Sequence, residues 1–334
     1  MQSQIRIALL GLGRAGSFHQ QSLRILSGGR LRQVFDIDQD KARAVAAAFG
    51  CTAAASAEDA IHDPDVDAVV VATPTQTHYP YVVAALNAGK PVLTEKPLGI
   101  DLKEIDHCFA LAAEKSLPLF VAFQRRFDPS FGALIRSVDE GAAGQIQFIR
   151  SVSRDSPCPS MDYIRISCGI FHDCVVHDFD MVCRIARAAP VEVFAYGSNF
   201  IQGIADLNDF DNVAVTLKFP GGVLATIDVN RKSAYGYDQR LEVFGTKGML
   251  QVGNRTRTTV VHYGPEDTRQ PLGDFSFPTR YRDAYVAEFE AFLDCVRNGR
   301  PAPITREEVR LNYFLAEAAE RSARQGVPVK LEAI

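Results

Sequence analysis

The sequence predicts an α/β chain of two domains, 1–123 and 124–334. The first is a parallel sheet with helices on both faces; the second is an α+β domain with a predominantly antiparallel open sheet. Two observations carry this. Apolar runs alternate with helical segments at short spacing up to Phe123, and parallel neighbours need such crossovers. Beyond Phe123 the strand-like runs lengthen and follow one another across turn signals.

Residues 5–10, Ile-Arg-Ile-Ala-Leu-Leu, form a short apolar run ended by glycines, the pattern of a buried strand. A helix is expected over 15–26, a strand over 31–35 ending at Asp36, and an alanine-rich helix over 41–49. Asp67–Ala72 reads as a strand buried on both faces. A helix over 79–87 stops at Gly89, and a strand over 91–94, a helix over 102–115 and a strand over 119–123 complete the first part. In the second part strands are expected over 145–153, 191–198, 212–219, 223–230, 240–244 and 249–252. Hairpin signals stand at Pro220-Gly221-Gly222 and Gly245-Thr246-Lys247-Gly248. Helices are expected over 128–139, 169–187, 281–298 and 306–324, and residues 264–280, with three prolines and two glycines, read as an irregular excursion.

Composition excludes several classes of function. A hydrophobic content of 47% with 23% charged residues is that of an ordinary globular protein. The formal net charge of -4 argues against a general nucleic-acid binder, whose affinity needs a basic footprint. Apolar runs fall far short of the ~20 residues of a membrane span, and no basic-then-apolar leader precedes the first strand. The seven cysteines are scattered without a C-x-x-C, against a disulfide framework or zinc cage. The expectation is a reduced, cytoplasmic protein with no membrane or nucleic-acid partner and no metal.

Gly11-Leu12-Gly13-Arg14-Ala15-Gly16 satisfies G-x-G-x-x-G between a strand and a helix, the context that gives the pattern meaning. Gly11 permits the tight turn, Gly13 lets the backbone approach a pyrophosphate, and Gly16 lets helix and strand pack closely. The helix N-terminus then offers N–H groups and a positive dipole to the phosphates. Asp36, twenty residues past Gly16, is placed to accept from both ribose hydroxyls and to repel a 2′-phosphate. Its successors Ile37 and Asp38 supply no cation, so the reading is a Rossmann domain for NAD rather than NADP. The alternative is a tight turn with Asp36 as a helix cap.

Thr94-Glu95-Lys96-Pro97 places Lys96 at the carboxyl end of a parallel strand, the side where such sheets bind ligands. There a lysine can donate to a hydroxyl and stabilise a developing alkoxide, although an arbitrary lysine on a turn is solvated and idle. Further on, Ile170, Val176, Phe179, Val182 and Ile185 recur at helical spacing. At about 100° per residue, Asp173 and His177 share one face. A carboxylate beside an imidazole orients it as a base that titrates near neutrality. The competing readings are a surface i,i+4 pair and a metal site of His172, Asp173 and His177. His172 lies about 140° from His177 around a helix, which disfavours the latter.

The glycine loop, Glu95-Lys96-Pro97 and Asp173-x-x-x-His177, in this order and spacing, resemble the glucose–fructose oxidoreductase / inositol dehydrogenase family over nearly the whole chain. Residues 123–129 (Phe-Gln-Arg-Arg-Phe-Asp-Pro), 177–181, 235–240 and 243–248 are similar to inositol 2-dehydrogenases within it. The resemblance implies an NAD-dependent oxidation of a cyclic polyol hydroxyl to a ketone, with myo-inositol the first candidate. It implies that His177 accepts the hydroxyl proton, Asp173 orients it and Lys96 polarises the oxygen. Gly11, Gly13, Arg14, Ala15, Gly16, Asp36, Glu95 and Lys96 would contact the cofactor. Lys96, Arg126, Asp173, His177 and Tyr237 would contact substrate, with Arg154 and Asp155 as further candidates. Arg125, Arg126 and Tyr237 also admit a purely structural reading. His172 and Cys174 depart from the arginine and methionine common in the family, which bears on substrate choice. Alternatives are another inositol isomer, a pyranose sugar, or a dinucleotide-sensing regulator without turnover. The open sheet of the second domain implies a homo-oligomer, dimer or tetramer.

Overall fold

The structure is a computed structural model that describes residues 4–331. The chain forms two compact units: the part up to Phe127 together with Asp283–Arg310, and Asp128–Arg282 together with the part from Leu311.

In the first unit β1 (Ile5–Leu10), α1 (Arg14–Ile25), β2 (Gly29–Phe35), α2 (Gln39–Phe49), β3 (Thr52–Ala53), α3 (Ala57–His62) and β4 (Ala68–Val71) lead into α4 (His78–Asn87), β5 (Val92–Glu95), α5 (Leu102–Lys115) and β6 (Leu119–Ala122). The sheet order is β3-β2-β1-β4-β5-β6 and every pairing is parallel. The chain therefore leaves β1 to opposite sides, through β2 and through β4, and makes a switch point at the carboxyl ends of β1 and β4. All four residues of β4 and of β6 are buried, as expected of strands covered on both faces.

The second unit begins with α6 (Pro129–Asp139), which is capped by Asp128 accepting from Ser130 and Phe131 N–H groups. Its sheet follows the order β12-β11-β7-β10-β9-β8-β15. The strands are β7 (Ile146–Arg154), β8 (Glu192–Ser198), β9 (Asn212–Lys218), β10 (Leu224–Asn230), β11 (Asp238–Gly245), β12 (Gly248–Val252) and β15 (Val329–Lys330), with β13 (His262–Tyr263) and β14 (Thr268–Arg269) forming a separate ribbon. One pairing, β10 with β7, is parallel and the others are antiparallel. The sheet is thus mainly antiparallel but mixed. Burial alternates along β9, with Val213, Val215 and Leu217 inward, the period-2 signature of a sheet covered on one face. α7 (Met161–Ile166), α8 (Val176–Ala186), α9 (Gln202–Ala205) and α10 (Phe277–Arg280) complete this unit with the later part of α12 (Arg306–Gln325).

Two features differ from the sequence reading. The helix α11 (Arg282–Asn298) and the residues to Arg310 belong to the first unit, not the second. The reason is aromatic packing: Phe292 meets Phe120 of β6 at 6.0 Å between centroids, and Tyr285 meets Phe18 of α1 at 4.9 Å. The expected helix over 169–187 is also not regular. Phe171–Val175 forms a π turn before α8 begins, so the 100° spacing does not hold across Asp173. Such turns are rare and cluster at functional sites. Among the described residues no helix is long and apolar enough to cross a membrane.

Candidate active site

In the first unit the glycine loop follows β1. Gly11 has φ 86°, and a Cβ there would stand 2.5 Å from the Ala72 carbonyl oxygen. At Gly16 a Cβ would stand 2.1 Å from the Gly11 oxygen, so helix and turn close up only with glycine. Gly13 differs, because a Cβ there would meet nothing within 4 Å. It is the N-cap of α1 without a side-chain cap, and the first turn carries no acid. The amides at Arg14 and Ala15 thus open an N-terminus suited to a phosphate.

Asp36 is tied to this loop. Its Oδ2 accepts from Leu12 N–H at 2.8 Å and its Oδ1 from Asp38 N–H at 3.0 Å. Each carboxylate oxygen has a second lone pair, so both can also take ribose hydroxyls. The residues present fit a dinucleotide. Ile37 and Asp38 supply no cation, but one stands near Asp36 from further along the chain. Lys41 Nζ on α2 lies 3.7 Å from its Oδ2. The first turn of α2 folds this lysine back toward the carboxylate.

Lys96 follows β5 directly, half-buried at the carboxyl end of the sheet. Glu95, expected at the cofactor, has its Oε1 2.9 Å from His19 Nε2. His78 places Nδ1 2.7 Å from the Pro97 carbonyl oxygen and Nε2 2.8 Å from that of Thr73. Burial pushes the His78 pKa down. Glu288 on α11 is fully buried, and burial first, then the charge of Glu95, hold its carboxyl well above the usual range.

The second unit carries Asp173 and His177, both buried. Asp173 Oδ1 accepts from Tyr163 OH at 2.8 Å, and its Oδ2 accepts from Arg231 Nη1 at 3.0 Å. Arg231 is fully buried and reaches Asp209 Oδ2 at 3.1 Å through its other terminal nitrogen. Burial alone would lower its pKa, but Cys174, Asp173 and Asp209 together outweigh that and raise it. A carboxylate bound by a guanidinium and a phenol is fixed in orientation. The next helix is anchored by Asp178, whose Oδ1 accepts from Ser151 and Ser153 hydroxyls at 2.6 and 2.7 Å. This pins α8, and with it His177, to β7. Arg231, Tyr163, Asp209, His19 and His78 escaped the sequence reading.

The remaining candidates divide. Arg126 Nη1 lies 2.9 Å from Glu308 Oε1 within the first unit, which supports its structural reading. Tyr237 is buried with its ring 6.3 Å from Phe277 and 6.0 Å from Tyr281. Arg154 donates to Asp228 and, at 3.1 Å, to Tyr235 OH, and Asp155 accepts from Ser156 N–H. His172 Nε2 lies 2.7 Å from Glu317 Oε1. It therefore turns to α12 while Asp173 turns to Arg231. Glu320, beside Glu317, is held by Arg324 at 2.7 Å.

Residues 5–123 match the oxidoreductase family with the NAD-binding Rossmann fold, and residues 131–251 match the GFO/IDH/MocA C-terminal domain. The chain is 37% identical over 332 residues to a myo-inositol 2-dehydrogenase of Thermotoga maritima, covering 99% of both. Its fold is similar to a myo-inositol dehydrogenase from Corynebacterium glutamicum, with TM-score 0.93, 36% identity, and coverage of 99% of this chain and 100% of that one. It is also similar to a scyllo-inositol dehydrogenase from Lactobacillus casei with bound NAD(H) and scyllo-inositol, with TM-score 0.91, 26% identity, and coverage of 98% and 99%.

Proposed function

The chain belongs to the GFO/IDH/MocA oxidoreductases, with an NAD-binding Rossmann domain, and from that premise we propose that it oxidises one hydroxyl of myo-inositol to the ketone. The observation that carries the substrate is the 37% identity to a myo-inositol 2-dehydrogenase along essentially the whole of both chains.

NAD, when bound, supplies the hydride acceptor. The glycine loop and α1 bind its phosphates, and Asp36 takes the ribose hydroxyls. Lys96 donates to the substrate oxygen and stabilises negative charge developing there. His177 accepts the hydroxyl proton, and Asp173, clamped by Arg231 and Tyr163, orients the base. Tyr237 is a substrate contact on this reading. Arg126, already paired with Glu308, is the less available one.

The sheet of the second unit supports a homo-oligomer, the expected partner being a further copy of this chain. Phe148 pairs in register with Phe244 and with Leu224, so the three share one face; Leu224 and Phe244 are 39% and 48% exposed. Apolar groups on an open sheet face mark an association surface.

The test is NADH formation from myo-inositol, scyllo-inositol, glucose, xylose and sorbitol with NAD. Myo-inositol should give the highest kcat/KM. Preference for scyllo-inositol would keep the reaction and change the isomer to the one bound by the Lactobacillus casei enzyme. Preference for an aldose would overturn the inositol assignment. No turnover with any polyol or sugar would favour the regulatory alternative.

A further inference from the structure

Two buried histidines bracket Lys96. On its N-terminal side His19 of α1 holds Glu95 at 2.9 Å. On its C-terminal side His78 of α4 reaches the Pro97 carbonyl at 2.7 Å and, through its other nitrogen, the Thr73 carbonyl at 2.8 Å. His19 is 0% exposed and His78 2%. All of these residues lie in the first unit.

A buried imidazole is costly unless it is hydrogen-bonded; His78 uses both ring nitrogens and His19 its Nε2. Apolar side chains of similar size would fill both places, since His19 already lies against the Tyr285 and Phe289 rings. The two histidines come from different helices, yet their bonds converge on the residues immediately before and after one lysine. Lysine has a flexible four-carbon stem. Its ammonium is placed reproducibly only if the backbone that carries it is fixed. His19 also stands on the helix that opens at the glycine loop, and so joins that helix to the lysine. Thr73 follows β4, so His78 joins the ends of two neighbouring strands.

We propose that His19 and His78 are positioning residues that fix the chain on both sides of Lys96 and so set how its ammonium meets the substrate oxygen; this rests on the reading of Lys96 as the group that polarises that oxygen. Neither histidine is assigned contact with substrate.

The experiment compares His19→Leu, His19→Gln, His78→Leu and Lys96→Ala with the parent in the full chain. Competent sites are counted by NADH fluorescence titration, and kcat with myo-inositol is expressed per NADH-binding site. That ratio does not respond to a loss of folded protein, so a merely structural role leaves it unchanged. His19→Leu and His78→Leu should each lower kcat per site by roughly 10- to 100-fold, the range for an ångström-scale misplacement. NADH affinity should stay within about twofold. His19→Gln keeps a donor near the Nε2 position and should recover most of the loss. If both leucine variants kept the parental kcat per site while Lys96→Ala lost it, the positioning role would be overturned. If His19→Gln fell as far as His19→Leu, the directed bond to Glu95 would be overturned as the cause. If Lys96→Ala itself kept turnover, the reading of Lys96 would fail, whatever the histidine variants did.

Discussion

At the scale of single residues, Asp36 is the proposed discriminator of the cofactor, and Lys41 changes what its removal should do. With Lys41 Nζ already 3.7 Å from the carboxylate, Asp36→Ser removes the repulsion and leaves a cation beside the place of a 2′-phosphate. This single substitution should narrow the NAD-over-NADP ratio of kcat/KM at least tenfold, about 1.4 kcal/mol. An unchanged ratio would count against Asp36 as the discriminator. His177→Ala should lower kcat by roughly 10²–10⁴, the usual worth of a positioned base, with NADH binding retained; near-parental turnover would return His177 to a structural role. Arg231→Ala leaves the buried Asp173 and the partly buried Asp209 without their cation, which should cost about 3–5 kcal/mol in urea unfolding. A loss under about 1 kcal/mol, the scale of an exposed pair, would mean that the clamp is not needed. The tight turn at Gly11 and Gly16 and its tie to Asp36 were legible because they lie in a short strand–loop–helix–strand spacing. Arg231 was not, since its partner Asp173 is 58 positions away. His19 and Glu95 are 76 apart, and no local pattern announces such pairs.

Among the elements, those with enough residues to show a period were readable. Leu102–Lys115 and Ile5–Leu10 begin and end where the apolar pattern does. The two-residue strands β3 and β15 are too short to display alternation, and they exist only because a neighbouring strand pairs with them. The π turn at Phe171–Val175 was invisible because one inserted residue hardly disturbs an apolar stripe. The helix α11 was found, but its allegiance was not, since amphipathicity gives a face and not a partner. That helix buries Glu288 completely within the first unit. Its carboxyl is held above the usual range by burial and, second, by Glu95. The unfolded chain releases this proton as pH passes the ordinary carboxylate range, while the folded chain keeps it. Stability from this group is therefore full below that range and falls as pH rises toward the folded value. Glu288→Gln should raise Tm more at about pH 8 than at about pH 5. The same change in Tm at both would contradict a protonated Glu288.

For the whole molecule, the two-part division was legible from the change in strand spacing, whereas the return of 283–310 to the first unit was not. Sequence patterns report local periods, and a segment that rejoins an early domain leaves no mark on them. The face bearing Phe148, Leu224 and Phe244 gives a prediction at this scale. Sedimentation should find a dimer or tetramer, and Phe244→Glu should shift it toward monomer. A parental chain that sediments as a monomer at micromolar concentration would refute the association.

The composition of the first unit also sets the order in which the protein can mature. Phe120 and Phe18 emerge early from the ribosome, but Phe292 and Tyr285, the rings that meet them, are made only after strands β7 to β12 of the second unit. At about 5–20 residues per second, the wait is roughly ten to thirty seconds. Through that interval the nascent nucleotide-binding half carries uncovered aromatic surface of the kind that chaperones hold. A gene cut after Phe127 would make that interval permanent, and its product should be insoluble, not a minimal NAD-binding domain.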